Sequence, residues 1–519
     1  MMPRDPLLET WWTLLLLPLL LLIPWVRRDA EWAKRGWVEV ALALACGGAV
    51  VTLCSGWLVQ YHLVNSPITS SDFSEYCQSI AALRGDAEPG LFSHNRSRVT
   101  ALVPGLLSRS LGIIDALAFS ALGFTALVGA GMYAWGRAVH GRLAGVLTVF
   151  AFCAVGPLVV LPRTISLYSE TMAAFVWASA GAALALRYRT WPTILLGGVG
   201  AGLALLAAAR GLFWALPVFG LTLLACIPLE WRSPKAWRRA ALLLVLAIAP
   251  VALSYPVGKW AYQPSSWTLE QQMMGLLQDR RIELGLPLPP TQPATGYLWG
   301  YSSPLEIPAT LRSLVAIQAQ IPAEVSEFEE TVWRRAAHIE RWYPVLLTCL
   351  ALSLVGLARR PWQLAALLGT LLPFFVALRG AGDILVFLRF VQTPMGGFPV
   401  LMATGVASLM TLRTVTEAST EANTGGSLGR WGWRTWARPT AAVALAAALV
   451  VGAVPSWLSP VAPWRFGWVA DAPLAQIIQK AADGPPTVRD QDYACHQALW
   501  RDYHESGHPP GTRLYEMNP

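Results

Sequence analysis

The chain has 519 residues, of which 55% are hydrophobic and only 13% are charged. Soluble globular proteins carry about 25% charged residues, so this composition excludes both an ordinary soluble enzyme and a disordered chain. The net charge is +8, but no basic run resembles a nucleic-acid-binding arm, and the cytoplasmic loops of membrane proteins carry excesses of this kind. The sequence therefore predicts an all-α polytopic membrane protein.

Apolar segments recur along the chain, and a spanning helix needs about 20 mostly apolar residues. The first segment is short and proline-containing, so it is either a span or a re-entrant or interfacial segment. The sequence thus predicts a bundle of about 11 or 12 spans. In chain order the candidate segments are 11–26, 38–60, 116–136, 143–161, 171–188, 193–209, 211–229, 240–257, 343–358, 361–378, 384–412 and 439–459.

The loops between these segments differ in charge. Basic residues concentrate in every second loop, and the positive-inside rule predicts that these loops are cytoplasmic. Their basic residues are Arg27, Arg28, Lys34, Arg35, Arg137, Arg142, Arg187, Arg189, Arg232, Lys235, Arg238, Arg239, Arg359, Arg360, Arg413, Arg430, Arg434 and Arg438. Most of the acids outside the spans lie in the other loops, which are therefore expected on the non-cytoplasmic face.

The external side receives the large segments, which indicates that the protein acts outside the cytoplasm. The glycines within 197–202 lie inside a span, where small residues let helices pack closely. The predicted units are an N-terminal hydrophobic segment with a cytoplasmic loop at 1–37, a transmembrane module at 38–257 with a first external loop at 61–115, an external helical loop at 258–342, C-terminal transmembrane helices at 343–459 and an external tail at 460–519.

The first external loop contains two carboxylates one helical turn apart, Asp72 and Glu75. Their position just after a span is suitable for chemistry at the membrane surface. The alternative is a capping arrangement at the start of an external helix, because Asp72 follows two serines.

A second carboxylate, Glu170, ends a short external turn between two spans. It is either a functional acid or an acid favoured by the helix dipole, with Arg163 as its ion-pair partner. Because an ionisable group at the boundary of a span is tolerated, its position alone does not decide between the two.

A third candidate is Arg389, which lies inside an apolar run near Arg379 and Asp383. A guanidinium at that depth has to find an anion, line a cavity or extend to the surface. The functional interpretation is a phosphate clamp, for which the planar guanidinium is well suited.

The sequence contains little evidence for other kinds of catalytic, nucleotide-binding or metal site. The sequence has no nucleophile elbow, phosphate-binding loop or dinucleotide motif, and the pair His504 and His508 lacks a third metal ligand. Cys77 and Cys495 are the only cysteines predicted outside the spans, so they either form a disulfide in an oxidising compartment or remain free thiols.

The order of these features resembles the GT-C membrane glycosyltransferases, in particular bacterial relatives of the protein O-mannosyltransferases and the lipid A aminoarabinose transferases. The resemblance is best over about residues 60–230 and weaker near 385–405. It is carried by Asp72-Phe73-Ser74-Glu75-Tyr76, Val103-Pro104-Gly105-Leu106-Leu107, Gly141-Arg142-Leu143-Ala144-Gly145, Tyr168-Ser169-Glu170, the glycine-rich stretch from Gly198 to Arg210, and Arg389-Phe390 before Pro394.

The resemblance implies a GT-C-like helix bundle with external helical loops, and a sugar donor carried on a polyprenyl phosphate. It further implies an enzyme of the bacterial plasma membrane with its site on the external face, acting on a lipid, glycan or protein acceptor, with inversion at the sugar carbon. Asp72 would be the base, and Glu170 would assist it or share a divalent cation with it. Arg389, with Arg163 or Arg210, would hold the phosphate. Further substrate contacts would come from Glu75, Tyr76 and Tyr168.

Two other functions remain open on the sequence. One is a polysaccharide polymerase or ligase that uses a lipid-linked oligosaccharide with similar external residues. The other is a twelve-span secondary transporter, although transporters usually have compact loops and polar residues near the midplane.

Overall fold

The computed structural model describes residues 36–51, 73–85, 98–155, 158, 168–207, 211–230, 232–261, 343–379 and 393–421. These ranges are almost entirely helical and contain no strand. Their helices are α1 (Gly36–Val50), α2 (Phe73–Arg84), α3 (Arg98–Leu111), α4 (Ile113–Val139), α5 (Arg142–Ala154), α6 (Tyr168–Tyr188), α7 (Trp191–Ala207), α8 (Gly211–Cys226), α9 (Pro234–Ala261), α10 (Tyr343–Leu357), α11 (Pro361–Arg379) and α12 (Gly397–Glu421).

The predicted all-α bundle is confirmed, and the described helices follow the apolar segments of the sequence closely. The segment predicted at 384–412 is not one continuous α-helix, because a turn at Thr393 and a 3-10 helix at Pro394–Gly396 precede α12; residues 384–392 lie outside the described residues. Pro394 has no N–H to give, and the following glycines favour a tighter local conformation, so the helix begins at Gly397. The segments 11–26 and 439–459 lie outside the described residues.

Helix α3 was not predicted and lies in the loop expected at 61–115. It buries Ala101, Gly105 and Ser108, which follow one another at helical spacing, while Leu102 and Leu106 are exposed. The buried stripe packs against α2 and α4. A proline and a glycine inside the helix, residues that usually interrupt helices, obscured it in the sequence.

Helix α6 is at the centre of the bundle and packs against α4, α7, α8 and α11. By length and hydropathy, two of the described helices could cross a membrane: α6, which is 83% buried, and Pro234–Gly258 within α9, which is 22% buried. Leu242, Val245 and Leu253 of α9 are exposed. A helix that is apolar on both its buried and exposed faces is suited to contact with lipid.

Small residues allow α6 and α7 to approach at backbone distance. A Cβ atom added to Gly200 would lie 2.5 Å from Ala178 Cα, and one added to Gly181 would lie 2.8 Å from Gly197 N. On its other side α7 meets α9, where a Cβ added to Gly198 would lie 2.5 Å from Ala247 O. The expectation that glycines 197–202 serve helix packing is therefore confirmed for this part of the bundle.

A carboxylate joins three helices at one end of the bundle. Glu39 of α1 accepts hydrogen bonds from Tyr133 Oη at 2.8 Å and Arg142 Nε at 2.6 Å, and its Oε2 lies 2.5 Å from Arg137 Nε. The two guanidiniums are only partly exposed, at 25% for Arg137 and 15% for Arg142. Glu39 therefore neutralises two half-buried cations and fixes α1 to α4 and α5.

The basic loops of the sequence meet at this same end. Arg187 donates to the carbonyls of Arg137 and Ala138, at 2.5 and 3.1 Å, and Arg137 donates to Tyr188 Oη at 2.9 Å. Burial, with the positive charges of Arg360 and Arg187, lowers the pKa of His140 to about 4. The structure thus gathers the loops after α4, α6 and α10 at one end, as the charge pattern predicted; that this end is cytoplasmic stays a prediction.

We expect Gly200→Ala to lower the free energy of unfolding by about 1–3 kcal/mol, because its methyl group would overlap the backbone of Ala178. The control is Gly220→Ala in α8, where nothing lies within 4 Å of an added Cβ. There the gain in helix propensity, about 1 kcal/mol, should stabilise the protein. Thermal unfolding of the two purified variants in nanodiscs measures the difference. Equal midpoints would contradict the tight α6–α7 contact.

We expect Glu39→Gln to destabilise the protein by about 1.5–3 kcal/mol, because Arg137 and Arg142 lose their charged acceptor. A second variant, Arg142→Gln, and the combination of both complete a double-mutant cycle. The double variant should lose less stability than the sum of the single variants. Additive losses in thermal unfolding would mean that the two groups do not interact.

Candidate functional site

The predicted acid Glu170 lies in the first turn of α6 and is only 3% exposed. Its Oε1 accepts a hydrogen bond from Ser120 Oγ of α4 at 2.8 Å. A carboxylate at the N-terminus of a helix is favoured by the helix dipole, so its position agrees with that alternative too. Burial distinguishes it from an ordinary surface acid of this kind.

The second oxygen of this carboxylate, Oε2, is buried and has no hydrogen-bond partner among the described residues. The hydroxyl of the adjacent residue Ser169 is also buried with no hydrogen-bond partner among the described residues. Buried polar groups are nearly always hydrogen-bonded, so a buried carboxylate oxygen without a partner needs an explanation, and a functional role is one. Glu170 therefore has one carboxylate oxygen that accepts a hydrogen bond and one that has no hydrogen-bond partner among the described residues.

Two tyrosines predicted to bind substrate meet at the start of α6, the helix that carries Glu170 in its first turn. The rings of Tyr76 and Tyr168 are in edge-to-face contact with centroids 6.4 Å apart. Tyr76 belongs to α2 and is 1% exposed, whereas Tyr168 is the first residue of α6 and is partly exposed. The contact fixes α2 against the start of α6. We call Tyr76, Ser120, Tyr168 and Glu170 the Glu170 cluster.

The turn after the predicted clamp Arg389 also packs near this cluster. A Cβ added to Gly396 would lie 2.9 Å from Met172 Cε and 3.5 Å from Phe175 Cε1, both in the first turns of α6. Pro394, Met395 and Gly396 are buried. The chain therefore returns to the Glu170 end of α6 within a few residues of position 389.

The cluster lies at the end of the bundle opposite the basic loops. Ser120 and Arg137 are 17 residues apart on α4, and Glu170 and Arg187 are equally far apart on α6. At about 1.5 Å per residue each pair is separated by about 25 Å along its helix. This matches the expectation that Glu170 and the basic loops are on opposite faces.

Several predicted site residues lie outside the described residues, namely Asp72, Arg163, Arg210, Arg389 and Cys495. Asp72 directly precedes Phe73, the first residue of α2; Glu75 is within α2, but its side chain lies outside the description. Cys77 is buried and disulfide-bonded to a residue outside the described ranges, so its pairing with Cys495 stays a prediction.

Ser120 is the member of the cluster that the sequence did not reveal. It lies near the start of a span predicted at 116–136, where a serine is unremarkable. Its role depends on the packing of α4 against α6, which a single sequence does not show. Among the described residues, no group of three or more His, Cys, Asp or Glu side chains could hold a metal ion.

No family model and no curated protein matches the sequence. Among solved structures, the chain is similar to the archaeal oligosaccharyltransferase AglB from Archaeoglobus fulgidus, in complex with an inhibitory peptide and a dolichol-phosphate. The identity is 13% and the TM-score 0.50, with 94% of this chain and 62% of that chain covered. This chain has the fold of the GT-C membrane transferases. It spans about three fifths of the length of that oligosaccharyltransferase.

A second GT-C structure, ArnT from Cupriavidus metallidurans in the apo state, is 13% identical with a TM-score of 0.44, covering 90% of this chain and 85% of that chain. The resemblance to GT-C enzymes that the sequence suggested is confirmed for the fold by the match to the oligosaccharyltransferase. The GT-C fold accounts for the all-helical bundle and agrees with a membrane protein.

We expect Glu170→Gln to lower the thermal unfolding midpoint of the protein slightly, because its amide NH2 would replace Oε2 at a buried position that has no acceptor among the described residues, while its oxygen keeps the bond from Ser120. Ser120→Ala should lower it, since the carboxylate loses its described hydrogen-bond donor, at about 1.5–3 kcal/mol. The matched control is Ser179→Ala in the middle of α6. Its hydroxyl is buried with no hydrogen-bond partner among the described residues, so that variant should unfold near the wild-type temperature. A Glu170→Gln variant more stable than the wild type would contradict the unpartnered position of Oε2.

Proposed function

We propose that the protein is a glycosyltransferase that moves a sugar from a polyprenyl-phosphate donor to an acceptor hydroxyl at the Glu170 cluster. The observation that carries the proposal is the buried carboxylate of Glu170, which has one oxygen bonded to Ser120 and one without a partner among the described residues, in a GT-C fold. The Tyr76–Tyr168 contact at the start of the same helix supports it. The site lies at the end remote from the basic loops, which supports action on the non-cytoplasmic face of the membrane.

Sugar transfer passes through a state with oxocarbenium character, so the acceptor needs a base and the leaving phosphate needs positive charge. Asp72 is the proposed base. Its place in the chain supports this role, because it directly precedes α2 and Tyr76 follows one helical turn later against Tyr168. The carboxyl groups of Asp72 and Glu170 should then lie within about 10 Å of each other.

Glu170 is the proposed partner of that base. Its Oε1 is held by Ser120, so the free Oε2 can accept a hydrogen bond from the acceptor hydroxyl and orient it. The open lone pairs on Oε2 also fit a divalent cation, which Glu170 and Asp72 would hold together. Such an ion would supply positive charge to the developing phosphate.

Arg389 is the proposed phosphate clamp, with Arg163 or Arg210 as a second cation. The turn at Pro394–Gly396 packs against Met172 and Phe175 of α6, which brings the chain near Glu170 soon after position 389. A guanidinium holds a phosphate through two parallel hydrogen bonds. Tyr76, Tyr168 and Glu75 would line the acceptor and sugar positions.

A second candidate is transfer of a whole lipid-linked oligosaccharide, as by a ligase or polymerase. The observation that favours it is the match to an oligosaccharyltransferase solved with a dolichol-phosphate and an inhibitory peptide. The chemistry at the cluster is the same in both cases. They differ in whether the donor carries one sugar or several.

The test is transfer of radiolabelled sugar from polyprenyl-phosphate donors in membranes that contain the full chain. Asp72→Asn keeps the shape and removes the base, so the rate should fall by about 10² or more. Glu170→Gln should also lower the rate, although we expect it to fold well. Arg389→Lys should weaken donor use because the planar fork is lost. Ser179→Ala is the control and should transfer at the wild-type rate.

Donors with one sugar and with several sugars, compared in the same assay, separate the two candidates. Transfer at the wild-type rate by Asp72→Asn would show that Asp72 is not the base. Unchanged donor affinity in Arg389→Ala would show that Arg389 does not bind the donor phosphate. Solute flux into proteoliposomes without any sugar transfer would mean that the protein is a transporter and not a glycosyltransferase.

A further inference from the structure

A cavity lies at the end of the bundle opposite the Glu170 cluster. It has a volume of about 610 Å³ and lies between the ends of α6 and α8 and the start of α9. Its polar lining includes Arg189, Lys235 and Arg239 against one carboxylate, Glu230. Among the described residues, no salt bridge involves any of these four side chains. The cavity therefore has an excess of positive charge.

The guanidinium of Arg189 is held rigidly with one edge open. It stacks on Trp362, with Cζ 3.9 Å from the ring centroid, and its Nη1 donates to Ile227 O at 3.0 Å. Nε and Nη2 are buried with no hydrogen-bond partner in the described part of the chain. These two nitrogens share one edge of the guanidinium, the edge that binds two oxygens of a phosphate or carboxylate in parallel.

Arg239 and the N-terminus of α9 add positive charge to the same cavity. Arg239 donates from Nη2 to Arg189 O at 3.2 Å, which brings its guanidinium beside the Arg189 backbone. Helix α9 begins at Pro234, and its next two residues, Lys235 and Ala236, line the cavity. Ser233 Oγ accepts a hydrogen bond from Ala236 N at 3.4 Å. The N-terminus of a long helix favours anions.

The remaining wall is apolar and includes Leu229, Ala240 and Leu243. Leu229 is 63% exposed. An apolar wall below a ring of cations fits an ionised phosphate group attached to a hydrocarbon chain, as in an anionic phospholipid at the membrane surface. A soluble phosphate compound presents the same anion without the chain.

We propose that this cavity is a binding site for a phosphate group, formed by Arg189, Lys235 and Arg239 and separate from the donor site. It lies about 25 Å from Glu170 along α6, so it takes no part in the chemistry at that end. The apolar wall favours a membrane phospholipid as the source, and the experiment distinguishes that source from soluble phosphate.

The test uses the full chain in nanodiscs of phosphatidylcholine with a minor fraction of phosphatidylglycerol. Native mass spectrometry counts the phosphatidylglycerol molecules retained after release. Lys235→Gln and Arg239→Gln should each weaken retention about tenfold, the loss of one charge-assisted contact. The matched control is Arg238→Gln, one residue away on α9 with the same charge and outside the cavity lining. Arg189→Gln is a second variant, interpreted together with its thermal stability because Arg189 also holds Ile227.

A parallel experiment measures binding of radiolabelled inorganic phosphate by equilibrium dialysis in pure phosphatidylcholine nanodiscs. Saturable binding that Lys235→Gln and Arg239→Gln weaken, with phosphatidylglycerol retention unchanged, supports the site with a soluble source. Retention of phosphatidylglycerol that depends on the same residues supports the lipid source. An equal effect of Arg238→Gln in either experiment, or no binding in both, would overturn the site.

Discussion

The backbone contact between α6 and α7 is the constraint on which the rest of the bundle depends. Gly181 and Gly200 leave no room for a methyl group where the two helices meet. Because α6 also packs against α4, α8 and α11, its position determines where Ser120 of α4 meets Glu170. The geometry of the candidate site is therefore set by residues that carry no chemistry themselves.

Electrostatics divides the molecule into two ends. At one end Glu39 neutralises Arg137 and Arg142, and Arg187 and Arg189 donate to backbone carbonyls. At the other end Glu170 is buried with a serine as its only described hydrogen-bond donor. The carboxylate of Glu39 is paired with two guanidiniums, whereas the carboxylate of Glu170 keeps one oxygen without a partner among the described residues. That difference is what separates a structural acid from a candidate functional one here.

Hydropathy and charge were sufficient to predict the helical bundle, the close-packed glycines of α7 and the clustering of the basic loops. These features depend on composition within one segment, which a sequence displays directly. Helix α3 was missed because Pro104 and Gly105, which usually interrupt helices, lie inside it, and the break before α12 was missed because Pro394 changes the local backbone. Glu170 was found from its place in a short turn, but Ser120 was not, because its role depends on which helix α4 faces.

The one-sided packing of α9 determines how the protein will respond to extraction from the membrane. Helix α9 meets α7 at Gly198 and Gly202, where added Cβ atoms would lie 2.5 Å from Ala247 O and 3.0 Å from Pro250 O. Most of its remaining surface is apolar and exposed, so hydrocarbon rather than protein solvates it. Detergents that replace this hydrocarbon poorly should loosen α9 first and leave the buried α6 in place. Reconstitution in lipid is therefore the condition under which the cavity at the start of α9 keeps its shape.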